Sequence, residues 1–492
     1  MATATMDSKK IAIIGAGFGG IAMAIKLKKA GENDFLILEK GGNVGGVWRD
    51  NTYPGCSCDV PSHLYSFSFS PHQSRTKRYE GQEGILSYLQ QVVEEYKLKE
   101  HLRLNFEISK AKFHEDKNQW EISTKSESES NECIRADVII FAVGQLHNPY
   151  TPDINGMKDF IGEQFHSATW KHNVGLHDKR ISVIGTGSSA AQMLPTLAKV
   201  AFELTIYQRE PHWVLPKPGA DFGRIERLLL RLPGAHGAYR SVLCHGADMV
   251  LSPVARSSAL RSSLQWYARR NLRRQVYNEE LAQELMPSHP IGSKRIIFDN
   301  EFYPTLNKEN VHLITEPIAS VGSDEIKTKS GTAIKADVII FATGFKASDF
   351  LLSIDVEGRG GHSLKEDWAG GPQAFMGLAV HDYPNLFMIA GPNTFNPAGS
   401  NPDMKELQIA YISKCLRWKE QMKARTIEVS ENAANRYKAW LEERLEKTVW
   451  SKPEYSSWYK NESGKVTNPW PESRRMFKRM LQEEPKCSFC TS

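Results

Sequence analysis

Two copies of a strand, glycine turn, helix and strand pattern leave this 492-residue chain few folds to choose from. The first copy begins with Lys10 and the apolar run 11–14 and passes through Gly15-Ala16-Gly17-Phe18-Gly19-Gly20 into a helical stretch ending near Ala30. Phe35-Leu36-Ile37-Leu38 and then Glu39 complete it. Gly15, Gly17 and Gly20 permit the tight turn and let the backbone approach a pyrophosphate seated on the helix N-terminus. Glu39, 19 residues after Gly20, is placed to accept hydrogen bonds from ribose hydroxyls. A glycine triplet alone is a weak signal, but inside a complete βαβ unit it marks a dinucleotide site.

The second copy runs from Ile181-Ser182-Val183-Ile184 through Gly185-Thr186-Gly187-Ser188-Ser189-Ala190 and a helix to about Val200. A strand over 203–207 then leads into Gln208-Arg209. The position past the second strand is thus a cation where the first copy has an acid. A carboxylate suits a ribose 2′-hydroxyl, whereas a 2′-phosphate is held by arginine. The first site is therefore expected to take FAD and the second NADPH. Glu210, next to Arg209, is an alternative partner for that arginine.

A further repeat ties the copies together. Ala136-Asp137-Val138-Ile139-Ile140-Phe141-Ala142-Val143-Gly144 returns as Ala336-Asp337-Val338-Ile339-Ile340-Phe341-Ala342-Thr343-Gly344. Near-continuous β-branched runs of this kind read as parallel strands buried on both faces. Each follows short alternating strands, such as 119–124 and 325–328, and the Ser/Glu run 126–132 reads as a solvated hairpin tip. The expected fold class is α/β, with two Rossmann-like dinucleotide-binding domains for FAD and NADP and a helical insertion in the NADP domain. The expected division is 1–150 for the first part of the FAD domain and 151–335 for the NADP domain, with the insertion at about 221–285. Residues 336–492 then form the returning part of the FAD domain and a C-terminal loop and tail.

Composition narrows the classes further. With 40% hydrophobic and 24% charged residues the chain is neither disordered nor low-complexity. Its most apolar stretch, 11–25, is broken by glycines and falls short of the roughly 18 residues of a membrane helix, so no transmembrane segment is expected. The polar first ten residues lack the apolar region of a secretory signal. Seven cysteines, an odd and sparse number, argue against a disulfide framework and for a reducing compartment, the cytoplasm. Cys487-x-x-Cys490 is a lone pair in a polar tail, and the final Cys-Thr-Ser fits neither a prenylation box nor a peroxisomal address. The net charge of +5 is no nucleic-acid signature, because residues 221–275 alone hold ten arginines, no lysine and three acids. That segment reads as a helical cap with a solvated cationic face, the other readings being a membrane-surface helix or a partner site.

Two longer motifs carry a family resemblance. Phe160-x-Gly162-xxx-His166-xxx-Trp170 lies between the dinucleotide units, and Gly45-Gly46-Val47-Trp48-Arg49-Asp50-Asn51-Thr52-Tyr53-Pro54-Gly55-Cys56-Ser57-Cys58-Asp59 follows the first. From about residue 10 to 471 the chain resembles the type I flavin-dependent Baeyer-Villiger monooxygenases. The resemblance implies a small-molecule ketone, O2 and NADPH as reactants, and a C4a-peroxide of reduced FAD that inserts one oxygen to give an ester or lactone. The chain is expected to be a monomer or homodimer, with no nucleic acid and no metal. Lys171 departs from the family fingerprint and matches the sister enzymes that oxygenate nitrogen or sulfur, which is the alternative function. A disulfide reductase would need a cysteine pair, but Cys56 and Cys58 are too close for an unstrained bridge in an extended chain. A protein that merely retains FAD is the remaining reading.

The resemblance also implies roles. Ser293-Lys294-Arg295, followed by Phe302-Tyr303-Pro304 and Asn310-Val311, maps the catalytic arginine onto Arg295, with Asp59 as its acidic partner. A fixed cation suits the chemistry, since arginine stays protonated and one preorganised donor on a developing oxyanion contributes about 3 kcal/mol. Lys294 joins Arg209 on the 2′-phosphate. Thr186, Gly187, Ser188, Ser189 and Gln192 match pyrophosphate and nicotinamide contacts, and Gly46, Val47, Trp48 and Tyr65 line the flavin. Trp458 belongs to a loop closing over NADP, whereas Phe395-Asn396-Pro397-Ala398-Gly399-Ser400 is less typical of the family and is a candidate for substrate contacts. His166 reads either as an interdomain hinge residue or, four before Trp170, as part of a helix-face pair.

Overall fold

In the computed structural model, which describes residues 7–72, 76–124, 132–217, 219, 221–397, 399–455 and 457–492, the first glycine pattern opens a mostly parallel sheet. Its strand Asp7–Ile14 lies between Phe35–Leu38 and Cys133–Phe141, parallel to both. The sheet extends on one side to Leu102–Arg103 and on the other through the antiparallel strands Gln119–Thr124 and Ile108–His114 to Asp355–Glu357. Cys133–Phe141 has two halves. Its start pairs with Gln119–Thr124 and alternates buried with half-buried side chains, whereas Ile139, Ile140 and Phe141 pair with Leu386–Met388 and are all buried. Alternation goes with one wetted face and continuous burial with cover on both. The helices Phe18–Lys29 and Asn401–Gln421 pack together over this sheet. The hairpin tip read at 126–132 lies almost wholly outside the described residues.

The second sheet has the order Val311–Ile314, Glu203–Tyr207, Arg180–Ile184, Val338–Phe341, Glu163–His166, all parallel. Val338–Phe341 thus belongs here, and the chain leaves this domain after Phe341, not at 336 where the sequence suggested a boundary. The repeated run marks a strand, and which sheet that strand joins is set by distant partners. The two crossings lie side by side. Tyr150 N donates to Gly344 O and Lys346 N to Asn148 O, each at 2.9 Å, around a Pro149–Phe345 bridge.

The insertion is helical as its pattern predicts, with helices Arg224–Leu229, Ala235–Val250, Ser258–Gln275 and Glu279–Glu284. It docks on the first domain. Arg240 Nη1 donates to the carbonyls of His63 (2.8 Å), Ser66 (2.9 Å) and Leu64 (3.3 Å). Arg78 reaches Glu226 and the Tyr239 hydroxyl, each at 2.9 Å. No helix among the described residues is long and apolar enough to cross a membrane. The tail is more ordered than its polarity suggests. Phe489–Thr491 pairs antiparallel with Ile427–Val429, and all seven cysteines, Cys487 and Cys490 included, are free.

Candidate active site

Both glycine turns leave a helix N-terminus open. Gly15 and Gly185 adopt φ of +104° and +108°, and a Cβ on either would press on a backbone carbonyl, that of Ala142 or Ala342. Gly20 packs against the Gly15 carbonyl, and Gly17 faces Gly46. Gly17 and Gly187 precede the helices Phe18–Lys29 and Ser188–Val200 without any side-chain cap, and neither first turn holds an acid. A Cβ on Gly187 would meet nothing within 4 Å. Unsatisfied N–H groups facing open space are what a pyrophosphate needs, so these residues fit two dinucleotides.

Glu39 is buried and braces the first turn. Its Oε2 accepts from Ala16 N (2.8 Å), and its Oε1 accepts from Gly41 N (2.8 Å) and Arg49 Nη1 (2.6 Å). One acceptor position on Oε2 remains for a ribose hydroxyl. Val47 and Trp48 start the short helix Val47–Asp50. Trp48 Nε1 donates to Tyr65 Oη at 3.2 Å, and the Tyr65 ring meets Phe18 edge-on at 5.2 Å, so both aromatics stand beside the first helix N-terminus. Burial pushes the Tyr65 hydroxyl well up from its ordinary range.

On the second domain, Thr186 is buried, Ser188 begins the helix, and Ser189 interacts with the Tyr53 hydroxyl. Two side chains are engaged in ways the sequence did not show. Gln192 clasps the two domains together. Its Oε1 accepts from Tyr53 Oη (2.9 Å) and Ser57 N (3.2 Å), and its Nε2 donates to Ser57 O (2.9 Å). Glu210 pairs with Lys294 rather than with its neighbour Arg209. Burial opposes its charge, but Lys294 outweighs that and holds the carboxyl below its usual range. Arg209 is exposed and makes no ion pair among the described residues.

Arg295 and Asp59 meet between the domains. Arg295 Nη2 lies 2.7 Å from each Asp59 oxygen. Burial alone would lower the guanidinium pKa, but Asp59 more than offsets it and the net shift is upward. The guanidinium also lies 5.6 Å from the Phe395 ring, whose edge meets Trp458 at 4.9 Å. Tyr459, almost fully buried, touches both rings and packs against Trp450. Trp450 is fixed by its Nε1 bond to Gly292 O, three residues before Arg295. Trp450 is the residue that sequence reasoning passed over, and Tyr459 was read only as part of the closing loop beside Trp458; the density of tryptophan and tyrosine over 440–470 was the available signal. A small cavity opens between Lys294, Tyr459, Trp450 and Asn396 and the insertion's Val254 and Ala255. Ala398, within the candidate substrate loop, lies outside the described residues.

The remaining candidates resolve plainly. Burial pushes the Cys56 thiol up to about 11 and the Cys58 thiol higher, so neither is a ready thiolate. Lys171 makes an exposed ion pair with Glu163 at 2.8 Å. His166 ends the edge strand of the second sheet, accepts from Ala168 N at Nδ1 (3.0 Å) and meets Phe345 of the crossing edge-on. The helix-face alternative fails, because Ser167–Thr169 is a single 3₁₀ turn and Trp170 packs on Phe165.

Two open dinucleotide turns in one chain, with a charged pair and an aromatic cluster at their junction, define an oxidoreductase that takes two dinucleotide cofactors. Comparison with known proteins narrows this. The family model for flavin-binding monooxygenase-like proteins matches residues 8–355, and the chain belongs to that family. A Baeyer-Villiger monooxygenase of Streptomyces coelicolor is 36% identical over 472 residues, covering 96% of this chain and 90% of the relative. Among solved structures, cyclohexanone monooxygenase from Rhodococcus sp. Phi1 bound to NADP+ superposes with a TM-score of 0.88 at 26% identity, covering 99% of this chain and 100% of the other. Oxidized steroid monooxygenase bound to NADP gives the same TM-score and identity, over 98% and 99% of the two chains. The chain is a flavin- and NADP-dependent monooxygenase.

Proposed function

We propose that this chain uses NADPH and O2 to insert one oxygen beside the carbonyl of a ketone, giving an ester or lactone. The observation that carries the reading is the Arg295–Asp59 pair beside an aromatic cluster at the domain junction. Bound FAD, reduced by NADPH, supplies the oxygen activation that side chains cannot. Arg295 presents a permanent positive charge to the negative charge that develops on the carbonyl oxygen, and Asp59 keeps the guanidinium from swinging away. Phe395, Trp458 and Tyr459 cover part of that charge, which strengthens its interactions.

Around this pair, Glu39 takes the FAD ribose, Gly15, Gly17 and Gly20 its pyrophosphate, and Trp48 and Tyr65 the flavin side. Gly185, Gly187, Ser188 and Ser189 take the NADP pyrophosphate. Arg209 holds the 2′-phosphate, with Lys294 joining once it leaves Glu210. Oxygenation of soft nitrogen or sulfur needs no oxyanion-stabilising cation, and the residue that favoured it, Lys171, is occupied by Glu163 on the surface. Likeness to the cyclohexanone and steroid enzymes favours an alicyclic ketone. Both dinucleotide turns and the Arg295–Asp59 pair lie in one chain, so a single copy suffices for the chemistry, and the free cysteines suit a reducing cytoplasm.

Mass analysis of products from linear, cyclic and steroidal ketones plus one thioether tests this. The expected result is gain of one oxygen by a ketone with matching loss of NADPH. Sulfoxide formation with no ester or lactone from any ketone would overturn it.

A further inference from the structure

Most of the large apolar side chains left exposed among the described residues fall between 225 and 267, inside the insertion. Ile225, Leu228, Leu229 and Leu232 are exposed to 76%, 64%, 54% and 57%. Their spacing of i, i+3, i+4, i+7 is that of one helical face, on a segment formed by the helix Arg224–Leu229 and the turns that continue it. The other side of that segment is used by the protein, where Glu226 pairs with Arg78 and Leu230 is buried. The next helix, Ala235–Val250, divides the same way. Its only two charged residues are held by the protein, Arg240 on three carbonyls and Asp248 on the backbone N–H of Arg474 (2.7 Å), while Val242 and Met249 are exposed. On Ser258–Gln275, Trp266 and Tyr267 are exposed, and Arg270 lies 5.6 Å from the Trp266 ring.

Charge selects the occupant. Arg224 and Arg231 flank the apolar stripe, are exposed, and form no ion pair among the described residues. Of the three acids in residues 221–275, Glu226 and Asp248 are already engaged. A second copy of this chain would set the same arginines against each other. An anionic lipid surface accepts leucines into its headgroup boundary and arginines at its phosphates, and exposed tryptophan and tyrosine suit the same depth. We propose that the insertion is an interfacial anchor that seats Ile225, Leu228, Leu229 and Leu232 in an anionic bilayer, holding the enzyme on the membrane without spanning it.

The test is sedimentation of the purified FAD-loaded enzyme with vesicles of phosphatidylcholine alone and of equal parts phosphatidylcholine and phosphatidylglycerol. The enzyme should sediment with the anionic vesicles, at least about tenfold less with the neutral ones, and progressively less as salt is raised. The double variants Leu228→Asn/Leu229→Asn and Arg224→Glu/Arg231→Glu should lose vesicle binding and keep flavin content and NADPH oxidation, since all four side chains face solvent. Absence of anionic-vesicle binding by the wild type, or equal binding by both variants, would overturn the proposal. So would a concentration-dependent dimer that the leucine variant abolishes, since the face would then belong to a second copy. Because binding and turnover are read separately, this result is independent of the ketone reading.

Discussion

A single nitrogen of Arg295 sits 2.7 Å from both carboxylate oxygens of Asp59, joining residues 236 positions apart across the two domains. Removing the cation is therefore predicted to separate the two halves of catalysis. Arg295→Ala should keep NADPH-driven bleaching of the flavin under anaerobic conditions and lose product formation by about a hundredfold or more. Stopped-flow absorbance beside product yield checks this, and normal ester yield would contradict it.

Glu210 competes for the lysine assigned to the 2′-phosphate. Glu210→Gln should lower the KM for NADPH, because Lys294 is released, and leave that for NADH nearly unchanged. Arg209→Ala should raise the KM for NADPH by about tenfold or more, the worth of a charge-assisted contact. Steady-state kinetics with both nucleotides distinguish the outcomes.

Gly185 and Gly187 lie two residues apart and should respond differently to the same change. Alanine at 185 must hold φ near +108° with its Cβ 2.5 Å from a carbonyl oxygen, so Gly185→Ala should lower thermal stability. Gly187→Ala meets no atom and should fold normally with flavin bound, yet bind NADPH poorly because the methyl fills the pyrophosphate approach. Melting curves and nucleotide titration report the two effects separately.

Stability should fall on mild acidification. His63 is 1% exposed, neither ring nitrogen has a hydrogen-bond partner among the described residues, and its ring stacks on His236 at 4.8 Å. Burial, then the neighbouring His236, push it down to about 4, and burial does the same to His147. In the unfolded chain these imidazoles titrate near about 6.5. Between those values the unfolded chain binds protons that the folded chain refuses, so the stability is complete above about pH 6.5 and lost as pH falls toward about 4. Denaturant midpoints across that window should drop with pH, and His63→Phe should flatten the slope.

How far the sequence led follows from the range of each interaction. The glycine turns were legible because positive φ and helix starts are local requirements, and the repeated apolar run because burial on both faces leaves a continuous pattern. Arg295 and Asp59 came through resemblance, since no local rule links residues so far apart. The hold of Glu210 on Lys294, the clasp of Gln192 on Ser57 and the seat of Arg240 on the 63–66 carbonyls left no periodic trace. Each joins side chains that only the finished fold brings within hydrogen-bond reach. The misplaced boundary at 336 has the same origin, because a buried strand carries no label naming its sheet.

The divided pairing of Cys133–Phe141 bears on synthesis. Its outer half finds Gln119–Thr124 at once, but the Ile139–Phe141 half waits for Leu386–Met388, which leaves the ribosome only after the whole second domain. During that interval the nascent first domain carries a bare, strongly apolar strand edge, the kind that pairs with other chains. The second domain, whose entry and exit already lie a hydrogen bond apart, can close in the meantime. Production of this enzyme is thus most exposed to aggregation in the stretch of translation between those two strands.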